Sequence, residues 1–549
     1  MSKLFYRVPE PLRRLSSRLL ETPAMAAPTS TRPKLTGRAF YESIGSPKMI
    51  VAPMVDRSEF AWRLLTRSYL DQERSKSMLA YTPMLHARLF QENPKHRDTY
   101  FRPTRNSLVS KDKSPMPPWL DGNPEIDRPL FVQFCANKPE ELLEAAQYVA
   151  PYCDAVDLNL GCPQGIARHG HYGAFLQEDW DTIYNMINKL HKELSVPVTA
   201  KMRILETREK TLEYAKMILS AGASILTVHG RRREQKGHNT GLADWSMIRY
   251  LRENLPADTV IFANGNILNS GDLEACLEAT GVDGVMSAEG NLSDPTIFAL
   301  PPKEYNPREY WYGPRRKGGY RVDAVFRRYM DIIHKYAFDR PPPARPPLYI
   351  PSDPKPDSAK ENGDDGSQTG ATNSKKRKRE SKAPTDPNLK GMQGHLFQLL
   401  RPLVTVHTNI RDALAKSYYG DMDAFENVLS MVEKVVMEAL DAEAQQEKTE
   451  DSAAQEEETT VGDDVTPKQR TEAKYKRPWW VCQPHIRPLP EEALKLGAMQ
   501  LSKKEKAKRA MQESAETKED PVQRVDDSQP QPQSNHTSDD VPKAALVCG

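Results

Sequence analysis

Residues 154–174 read DAVDLNLGCPQGIARHGHYGA and decide how the rest of the sequence is interpreted. An apolar run from Ala155 ends at Asn159 and is followed by Cys162 and several glycines. This pattern predicts a buried strand that opens into a loop able to lie close to a ligand. A free cysteine is often only a small buried residue, so this stretch alone leaves open whether Cys162 is inert or reactive.

Strand-like runs recur between about residue 47 and residue 300, and most of them are nearly continuous apolar runs, as expected for strands covered on both faces. The eight predicted strands are Met49–Pro53, Met78–Thr82, Pro129–Phe134, Ala155–Leu160, Val196–Arg203, Ser224–His229, Val260–Asn264 and Gly284–Ser287. Helical patterns lie between them, most clearly at 60–65, 140–149, 180–190 and 211–221. This alternation predicts an α/β fold, a (β/α)8 TIM barrel. A doubly wound open sheet is the alternative, but no GxGxxG motif follows an early strand.

The remaining sequence predicts a small C-terminal helical domain, because apolar residues recur at helical spacing in 322–336, 395–403 and 421–440. The sequence from 104 to 128 is predicted to be a surface insertion. The predicted organisation is a disordered extension at 1–44, a barrel at 45–318, a helical domain at 319–340 and 391–440, a disordered basic and proline-rich insertion at 341–390, and a mostly disordered tail at 441–549 with an aromatic and basic island at 475–488.

Composition excludes several classes of protein. The 549 residues carry a net charge of only +2, so any nucleic-acid surface must be local. The six cysteines form no CxxC pair, which argues against a thiolate metal site or a disulfide framework and favours a reducing compartment. No run of 18 apolar residues occurs, so we predict no membrane span. No metal and no obligate protein partner is indicated, and the oligomeric state is open.

Two basic segments bear on localisation. The first 35 residues are arginine-rich and weakly amphipathic, but Glu10, Glu21 and several prolines favour a disordered extension over a mitochondrial presequence. The run Lys375–Arg379 is typical of a nuclear-localisation signal or an RNA-attracting tether, with a solubilising charge run as the alternative. We therefore expect the nucleus or the cytoplasm. In the island, Trp479 and Trp480 either stack on RNA bases or dock onto their own domain, and we favour docking.

Polar or small residues follow most of the predicted strands, at the barrel end where ligands bind. They are Ala52–Val55, Gln133, Asn159 with Cys162, Lys201 with Arg203, His229–Arg231, Asn264–Asn266 and Ala288–Gly290. Alone, Lys201 could lie at a sheet edge, His229 could be a core histidine, and Asn264–Gly265 could be an ordinary turn. The same register recurs at successive strand ends, which favours a binding site.

The chemistry of these residues suits a flavin. Glycine and small residues after the last two strands let backbone N–H groups approach a phosphate. Lys201 and His229 would favour an anionic ring, and Gln133 has both donors and an acceptor for the edge of that ring. Cys162 would lie across from the ring, where a thiol can act as a proton donor.

Several motifs together carry a resemblance to a known family. VAPMVD at 51–56, LNLGCPQ at 158–164, TAKMR at 199–203, TVHGR at 227–231, ANGNI at 263–267 and VMSAEGN at 285–291 resemble the tRNA-dihydrouridine synthases. HGHYGAFL at 169–176, HLFQL at 395–399 and WWVCQPHIRP at 479–488 resemble the eukaryotic tRNA-dihydrouridine(16/17) synthase subfamily. The resemblance covers roughly 45–340, 390–440 and the tail island.

The resemblance implies FMN as cofactor, NADPH as reductant and a uridine in the tRNA D-loop, at position 16 or 17, as substrate. Hydride would pass from flavin N5 to uracil C6, and Cys162 would give a proton to C5. Asn159 and Arg203 would orient the uracil and the flavin. The base would be extruded from its stack, and the C-terminal helices would grip the tRNA backbone. FMN would be held by Pro53, Met54, Val55, Gln133, Lys201, His229, Asn264, Gly265, Asn266, Ala288 and Glu289.

The sequence departs from the family pattern at two places. Bacterial relatives typically carry Gly-Arg where Ala288–Glu289 stands, so the backbone or Arg231 must replace a cation at the phosphate. Arg168 stands where the family often has a lysine. Two other functions stay open: another FMN barrel oxidoreductase acting on a small pyrimidine-like substrate, and a non-catalytic RNA-binding relative. We also expect residues 441–549 to be largely dispensable for flavin reduction.

Overall fold

Parallel strands close into a barrel in the computed structural model of the chain, which describes residues 34–107, 116–237, 240–313, 318–354, 386–450 and 477–486. The strands are β1 Met49–Val51, β2 Met78–Tyr81, β3 Leu85–His86, β4 Leu130–Cys135, β5 Ala155–Leu160, β6 Val198–Arg203, β7 Leu226–His229, β8 Ile261–Asn264 and β9 Gly284–Ser287. Pairing of β9 with β1 and of β2 with β4 closes the sheet. The predicted TIM barrel and its eight strands are confirmed, and the open sheet is excluded. Among the barrel strands described above, the two-residue β3 was not predicted.

Successive side chains of a barrel strand lie alternately against the outer helices and in the barrel interior. On β5, Val156 and Leu158 pack against the outer helices, whereas Ala155 faces the barrel interior together with residues such as Phe131 and Phe262. Because successive side chains of a strand point to opposite faces, Asp157 and Asn159 also face inward, above Ala155. The interior therefore changes from apolar at the bottom to polar at the carboxyl ends of the strands.

The first helix precedes the first strand, and the other helices follow the strands in order around the barrel. They are α1 Gly37–Ser43, α2 Phe60–Arg67, α3 Gln72–Lys76, α4 Ala87–Glu92, α5 Pro94–Tyr100, α6 Pro139–Val149, α7 Gly165–His169, α8 Trp180–Glu193, α9 Arg208–Ser220, α10 Trp245–Asn254, α11 Gly271–Thr280 and α12 Glu289–Ser293. Side-chain caps fix several of their starts: Asp179 accepts from the Thr182 N–H at 3.1 Å, and Asp244 from the Met247 N–H at 3.0 Å. Within the described ranges, no helix is long and apolar enough to cross a bilayer.

Helix α1 closes the lower end of the barrel, which corrects the disordered extension predicted for 1–44. Phe40 stacks on Phe131 with ring centroids 5.9 Å apart, and the Tyr41 hydroxyl donates to the backbone oxygen of Asp283 at 3.0 Å. Seven residues show too short a helical pattern to stand out, but their two aromatics fill the open bottom of the barrel. Residues 1–33 lie outside the described part of the chain.

The sequence predicted as a surface insertion at 104–128 is anchored in the core. Arg63 of α2 is fully buried and donates to Asp127 at 2.6 Å and to Asp121 at 2.8 Å. A buried arginine needs such partners, since an unpaired buried charge is strongly unfavourable. The surface prediction is therefore wrong for Leu120–Gly122 and Asp127, which are buried, whereas residues 104–107 and 116–119 lie at the surface. Residues 108–115 lie outside the described part.

The C-terminal helices pack on the barrel through α2. They follow a short hairpin, and the elements are β10 Tyr310–Trp311, β11 Gly319–Tyr320, α13 Val322–Ile332, α14 Pro387–Leu399, α15 Arg401–Val406, α16 Thr408–Lys416 and α17 Met422–Glu450. Trp62 of α2 stacks on His395 of α14 with centroids 3.9 Å apart. His395 also forms a buried 2.8 Å pair with Glu59 at the start of α2. One apolar core spans α2 and the C-terminal helices.

The first part of the predicted disordered insertion is ordered. Within 341–354, Arg345 pairs with Glu426 of α17 at 2.8 Å, and the Tyr349 hydroxyl donates to Asp441 at 2.6 Å. The proline-rich composition gave no sign of these contacts, because the partners lie more than 80 residues further along the chain. Residues 355–385, including Lys375–Arg379, lie outside the described part.

The tail island docks onto its own chain, as favoured from the sequence. The Cys482 N–H donates to the backbone oxygen of Tyr320 at 2.8 Å, and the Val322 N–H donates to that of Trp480 at 2.9 Å. Cys482 is buried, and Trp480 packs against the helical core. The same segment reaches the barrel, where the His485 N–H donates to the backbone oxygen of Leu268 at 3.3 Å. Tyr475 and the flanking residues 451–476 and 487–549 lie outside the described part.

Candidate active site

The predicted site residues converge at the carboxyl ends of the strands. Strand register places Asn159 beside Lys201, Arg203 beside His229, and His229 beside Asn264. Parallel strands bring neighbouring register positions to the same level of the barrel, so these residues lie side by side around its mouth. The recurrence of polar residues at successive strand ends, read from the sequence, thus describes one site.

A cavity of about 250 Å³ opens at this mouth beside the loops that follow β7, β8 and β9. Its walls include Arg203, Arg231 and Lys236, against one carboxylate at Glu289. The excess of positive groups favours an anionic ligand. The other predicted residues in the wall are His229, Asn264, Gly265, Asn266 and Ala288.

The loop after β8 is shaped by two left-handed residues, Gly265 at φ 112° and Asn266 at φ 61°. Asn266 holds this conformation because its Oδ1 accepts from Arg231 at 2.7 Å and from the Ala243 N–H at 3.0 Å. Arg231 also contacts Nε2 of His229 at 3.2 Å. Arg231 therefore braces the loop and the histidine while it contributes positive charge to the cavity.

The loops after β8 and β9 lie very close to each other. Ser287 donates through Oγ to the backbone oxygen of Ile267 at 2.9 Å. A β-carbon at Gly290 would lie 2.4 Å from that same Ile267 oxygen, so only glycine fits there. The close approach brings the backbone of Ala288 and Glu289 to the rim of the cavity.

The first loop, with Pro53, Met54 and Val55, adjoins the last one. Met54 and Ala288 pack against the same interior cluster. The Met54 N–H donates to Ser58 Oγ at 2.9 Å, which ties the loop to the start of α2, and the Val55 side chain is 55% exposed. The loop thus lies at the mouth, although the residues that line the 250 Å³ cavity do not include it.

Lys201 lies inside the barrel, with Nζ donating to Asn264 Oδ1 at 3.0 Å. Burial, reinforced by the nearby charge of Arg203, lowers the pKa of Lys201 to about 8. Burial also lowers the pKa of Arg203 to about 10. Two cations held in a poorly solvated mouth are stabilised when an anion binds beside them.

Three polar side chains connect the barrel interior to the cysteine loop. Asn159 donates through Nδ2 to Gln133 Oε1 at 2.8 Å, and its Oδ1 accepts from the Cys162 N–H at 2.9 Å. Arg203 Nε donates to the backbone oxygen of Gly161 at 2.7 Å. The strands therefore fix the peptide group between Gly161 and Cys162, immediately before the thiol.

The far side of the cysteine loop is equally constrained. The Ala174 N–H donates to the backbone oxygen of Cys162 at 3.1 Å. Gly173 has φ 66°, and a β-carbon there would lie 3.0 Å from Cys162 Cβ. Cys162 is half-buried and packs against a small cluster with Cys135 and Tyr172. Its thiol lies on a rigid loop at the mouth of the barrel.

Sequence reasoning missed two residues near this site. Asp157 is fully buried on β5, beside Gln133 of β4, and its Oδ2 accepts from Gln133 Nε2 at 2.8 Å. A carboxylate inside an apolar strand, two residues before Asn159, was the available signal. His485 of the tail lies 3.7 Å from Glu289 and 3.4 Å from Ser293 Oγ, and the sequence gave no sign of that contact.

A larger cavity of about 550 Å³ lies beside the site, between the loops that follow β6 and β7 and the start of α8. Acidic residues predominate in its walls, among them Glu178, Glu206 and Glu213. The residues that form its walls include none of those predicted from the strand ends, so the smaller cavity is the better match to them. Among the described residues, no cluster of histidine, cysteine and carboxylate side chains could hold a metal ion.

Comparison with known proteins shows the family of the chain. Residues 50–341 match the family described as dihydrouridine synthase. The chain is 44% identical over 459 residues to a tRNA-dihydrouridine(16/17) synthase of Schizosaccharomyces pombe, covering 83% of this chain and 92% of that protein. It is 44% identical over 461 residues to the Saccharomyces cerevisiae enzyme of the same name, covering 83% and 87%, and 37% identical over 464 residues to a similarly named mouse protein, covering 84% and 73%. The chain belongs to the dihydrouridine synthase family of oxidoreductases.

Proposed function

We propose that the protein reduces uridines 16 and 17 of the tRNA D-loop to dihydrouridine, with FMN as cofactor and NADPH as reductant. The observation that carries the proposal is the fixed position of Cys162 at a cation-lined barrel mouth, held by Asn159 and Arg203. The names of relatives that are 44% identical over most of their length support the substrate and the positions.

The residues at the mouth fit an anionic, planar cofactor. Positive groups outnumber carboxylates around the 250 Å³ cavity, and its loops present backbone at Asn264–Asn266 and Ala288–Glu289. FMN would be held there, with Pro53, Met54 and Val55 at its margin and Gln133 and His229 deeper, and when bound it supplies the hydride. Lys201 favours the negative charge of such a ring because its own ammonium is poorly solvated.

Cys162 is the proposed proton donor to uracil C5. Its loop is fixed by bonds from Asn159 and Ala174, so the thiol is held in place before substrate arrives. A thiol can donate a proton to a carbon atom on the face of a base opposite the hydride donor. Asn159 and Arg203 lie close enough to the cysteine loop to orient the uracil.

The substrate must reach this site as an extruded base, since its reacting carbons are stacked inside folded tRNA. The mouth is open enough for this, with Val55 55% and Ile166 71% exposed on the loops around it. The helical domain that packs on α2 is the proposed grip on the tRNA backbone. It lies next to the loop of Pro53–Val55 in space, because Lys390 of α14 donates to Asp56 at 3.0 Å.

The test is an assay with purified holoenzyme, NADPH and an unmodified tRNA transcript. Mass spectrometry of nuclease fragments should show a gain of two mass units at uridine 16, at uridine 17 or at both, and at no other uridine. Turnover of free uridine would instead favour a small-molecule flavin barrel. A colourless purified protein that binds tRNA would favour the non-catalytic relative.

A further inference from the structure

Asp157 is a buried carboxylate to which the roles described above assign nothing. It faces the barrel interior from β5 and has no exposed surface. Strand register places it between Gln133 on β4 and Thr199 on β6, one layer below Asn159 and Lys201. The carboxylate therefore lies directly beneath Asn159 and Lys201 and beside Gln133.

Both oxygens of this carboxylate accept hydrogen bonds from its register neighbours. Gln133 Nε2 donates to Oδ2 at 2.8 Å, and Thr199 Oγ1 donates to Oδ1 at 2.7 Å. An ionised carboxylate only accepts, so it selects the NH₂ end of the Gln133 amide. The oxygen end of Gln133 is then turned toward Asn159.

The orientation of the Gln133 amide sets that of the Asn159 amide, which in turn bonds to the backbone of the cysteine loop. Gln133 Oε1 accepts from Asn159 Nδ2 at 2.8 Å, which turns Asn159 Oδ1 toward the loop. That oxygen accepts from the N–H groups of Gly161 at 3.1 Å and Cys162 at 2.9 Å. If either amide were rotated by 180°, like groups would face each other at one of these contacts.

We propose that Asp157 is a positioning residue that sets the orientation of the Gln133 and Asn159 amides and, through them, the place of the Cys162 thiol. The inference rests on the proposed function only for the role of the Cys162 thiol as proton donor. Asp157 contacts neither substrate nor reacting atoms and acts through the two amides.

A second role for Asp157 would be that of a counter-charge to Lys201, which lies one layer above it. The two roles predict different results when the carboxylate is neutralised. Loss of a counter-charge leaves Lys201 more available to an anion and changes FMN affinity. Loss of orientation releases the cysteine loop and reaches FMN only through the Gln133 amide, so the thiol is affected more than the cofactor.

The experiment compares holoenzymes of wild type, D157N and T199V. The D157N change keeps the size of the side chain but lets either orientation of Gln133 be satisfied, because an amide both donates and accepts. In D157N, we expect FMN content and the rate of reduction by NADPH within about twofold of wild type, and reoxidation by tRNA slowed about 10- to 100-fold. T199V removes the hydrogen bond to the other oxygen of Asp157 but leaves the bond from Gln133 in place. It should therefore leave reoxidation unchanged.

A readout independent of turnover is alkylation of Cys162 by iodoacetamide, followed by peptide mass spectrometry. D157N should be alkylated several times faster than wild type, because the loop is less fixed. N159D places a carboxylate oxygen against Gln133 Oε1, and this repulsion turns the carboxylate away from its place beside the Cys162 N–H, so N159D should also be alkylated faster. D157N should add nothing in the N159D background, since both act through one chain of bonds.

Three results would overturn the inference: alkylation of D157N at the wild-type rate, additive effects of D157N and N159D, or loss of FMN as the main defect. If D157N does not fold, alkylation of N159D at the wild-type rate would also overturn it. Failure of the proposed function looks different, because wild type would then form no dihydrouridine while the alkylation differences would persist.

Discussion

Oδ1 of Asn159 accepts a hydrogen bond from the backbone N–H of Cys162 at 2.9 Å. The side chain belongs to a barrel strand and the N–H to the loop that follows it, so the strand holds the loop. A second strand does the same through Arg203 and the Gly161 oxygen. The thiol is therefore positioned by the most rigid part of the fold, which is the arrangement that a proton donor requires.

Replacing Cys162 by alanine should separate the two halves of the reaction. The cation-lined cavity remains intact, so FMN binding and reduction by NADPH should stay within about twofold of wild type, whereas dihydrouridine formation should fall about 100-fold or more. Stopped-flow absorbance measures the first half and tRNA mass mapping the second. C153A, which changes a buried cysteine away from the mouth, is the control. Equal product formation by C162A and wild type would remove the proton-donor role.

FMN affinity should depend on the charge of Lys201. Its pKa is lowered to about 8 by burial, so the unliganded protein loses this proton as the pH rises through 8. A bound anion favours the protonated lysine and raises that pKa, so affinity should fall above pH 8 by up to about tenfold per pH unit. Titration of apoprotein with FMN between pH 7 and 9.5 measures this.

The K201M variant should bind FMN more weakly and lose this pH dependence. K192M, on the exposed side of the last turn of α8, is the matched control and should keep it. A wild-type affinity that is flat from pH 7 to 9.5 would show that Lys201 does not face the bound anion.

Gly173→Ala should both destabilise the protein and impair turnover. The position has φ 66°, and the added carbon would lie 2.9 Å from the Cys162 backbone oxygen. We expect the free energy of unfolding to fall by about 2 kcal/mol, measured by urea denaturation of the holoenzyme. Gly165→Ala is the control, because a β-carbon there meets no atom within 4 Å. Equal stability and turnover of the two variants would refute the strain argument.

The tail island should be needed for the cofactor site, which revises the expectation that residues 441–549 are dispensable for flavin reduction. His485 bonds to the backbone of Leu268, and Leu268 lines the cavity. A chain ending at residue 476 should therefore melt at a lower temperature and lose FMN more readily on dilution. A chain ending at Ile486 keeps every described contact and should match full length. Identical behaviour of the two truncations would restore the original expectation.

Much of the barrel could be predicted because its strands carry continuous apolar runs and its functional residues stand at fixed register positions. Asn159, Lys201 and His229 each end such a run, so their meeting at one mouth follows from the fold alone. The identity of the substrate and of the anionic cofactor does not follow from strand register. Both were inferred from the family resemblance.

The features that sequence reasoning missed depend on contacts between distant segments. The carboxylate of Asp157 stands inside an apolar run, and its importance comes from Gln133 and Thr199 on neighbouring strands. The ordered part of the proline-rich segment depends on pairs such as Arg345 with Glu426. His485 reaches the cavity loops from beyond the last helix. No local pattern encodes such pairings.

The most direct test of the central claim is a map of dihydrouridine in tRNA from cells that lack this protein. The account predicts that dihydrouridine disappears at positions 16 and 17, persists elsewhere, and returns with the wild-type chain but not with C162A. Dihydrouridine retained at both positions in the deletion strain, or restored by C162A, would contradict it.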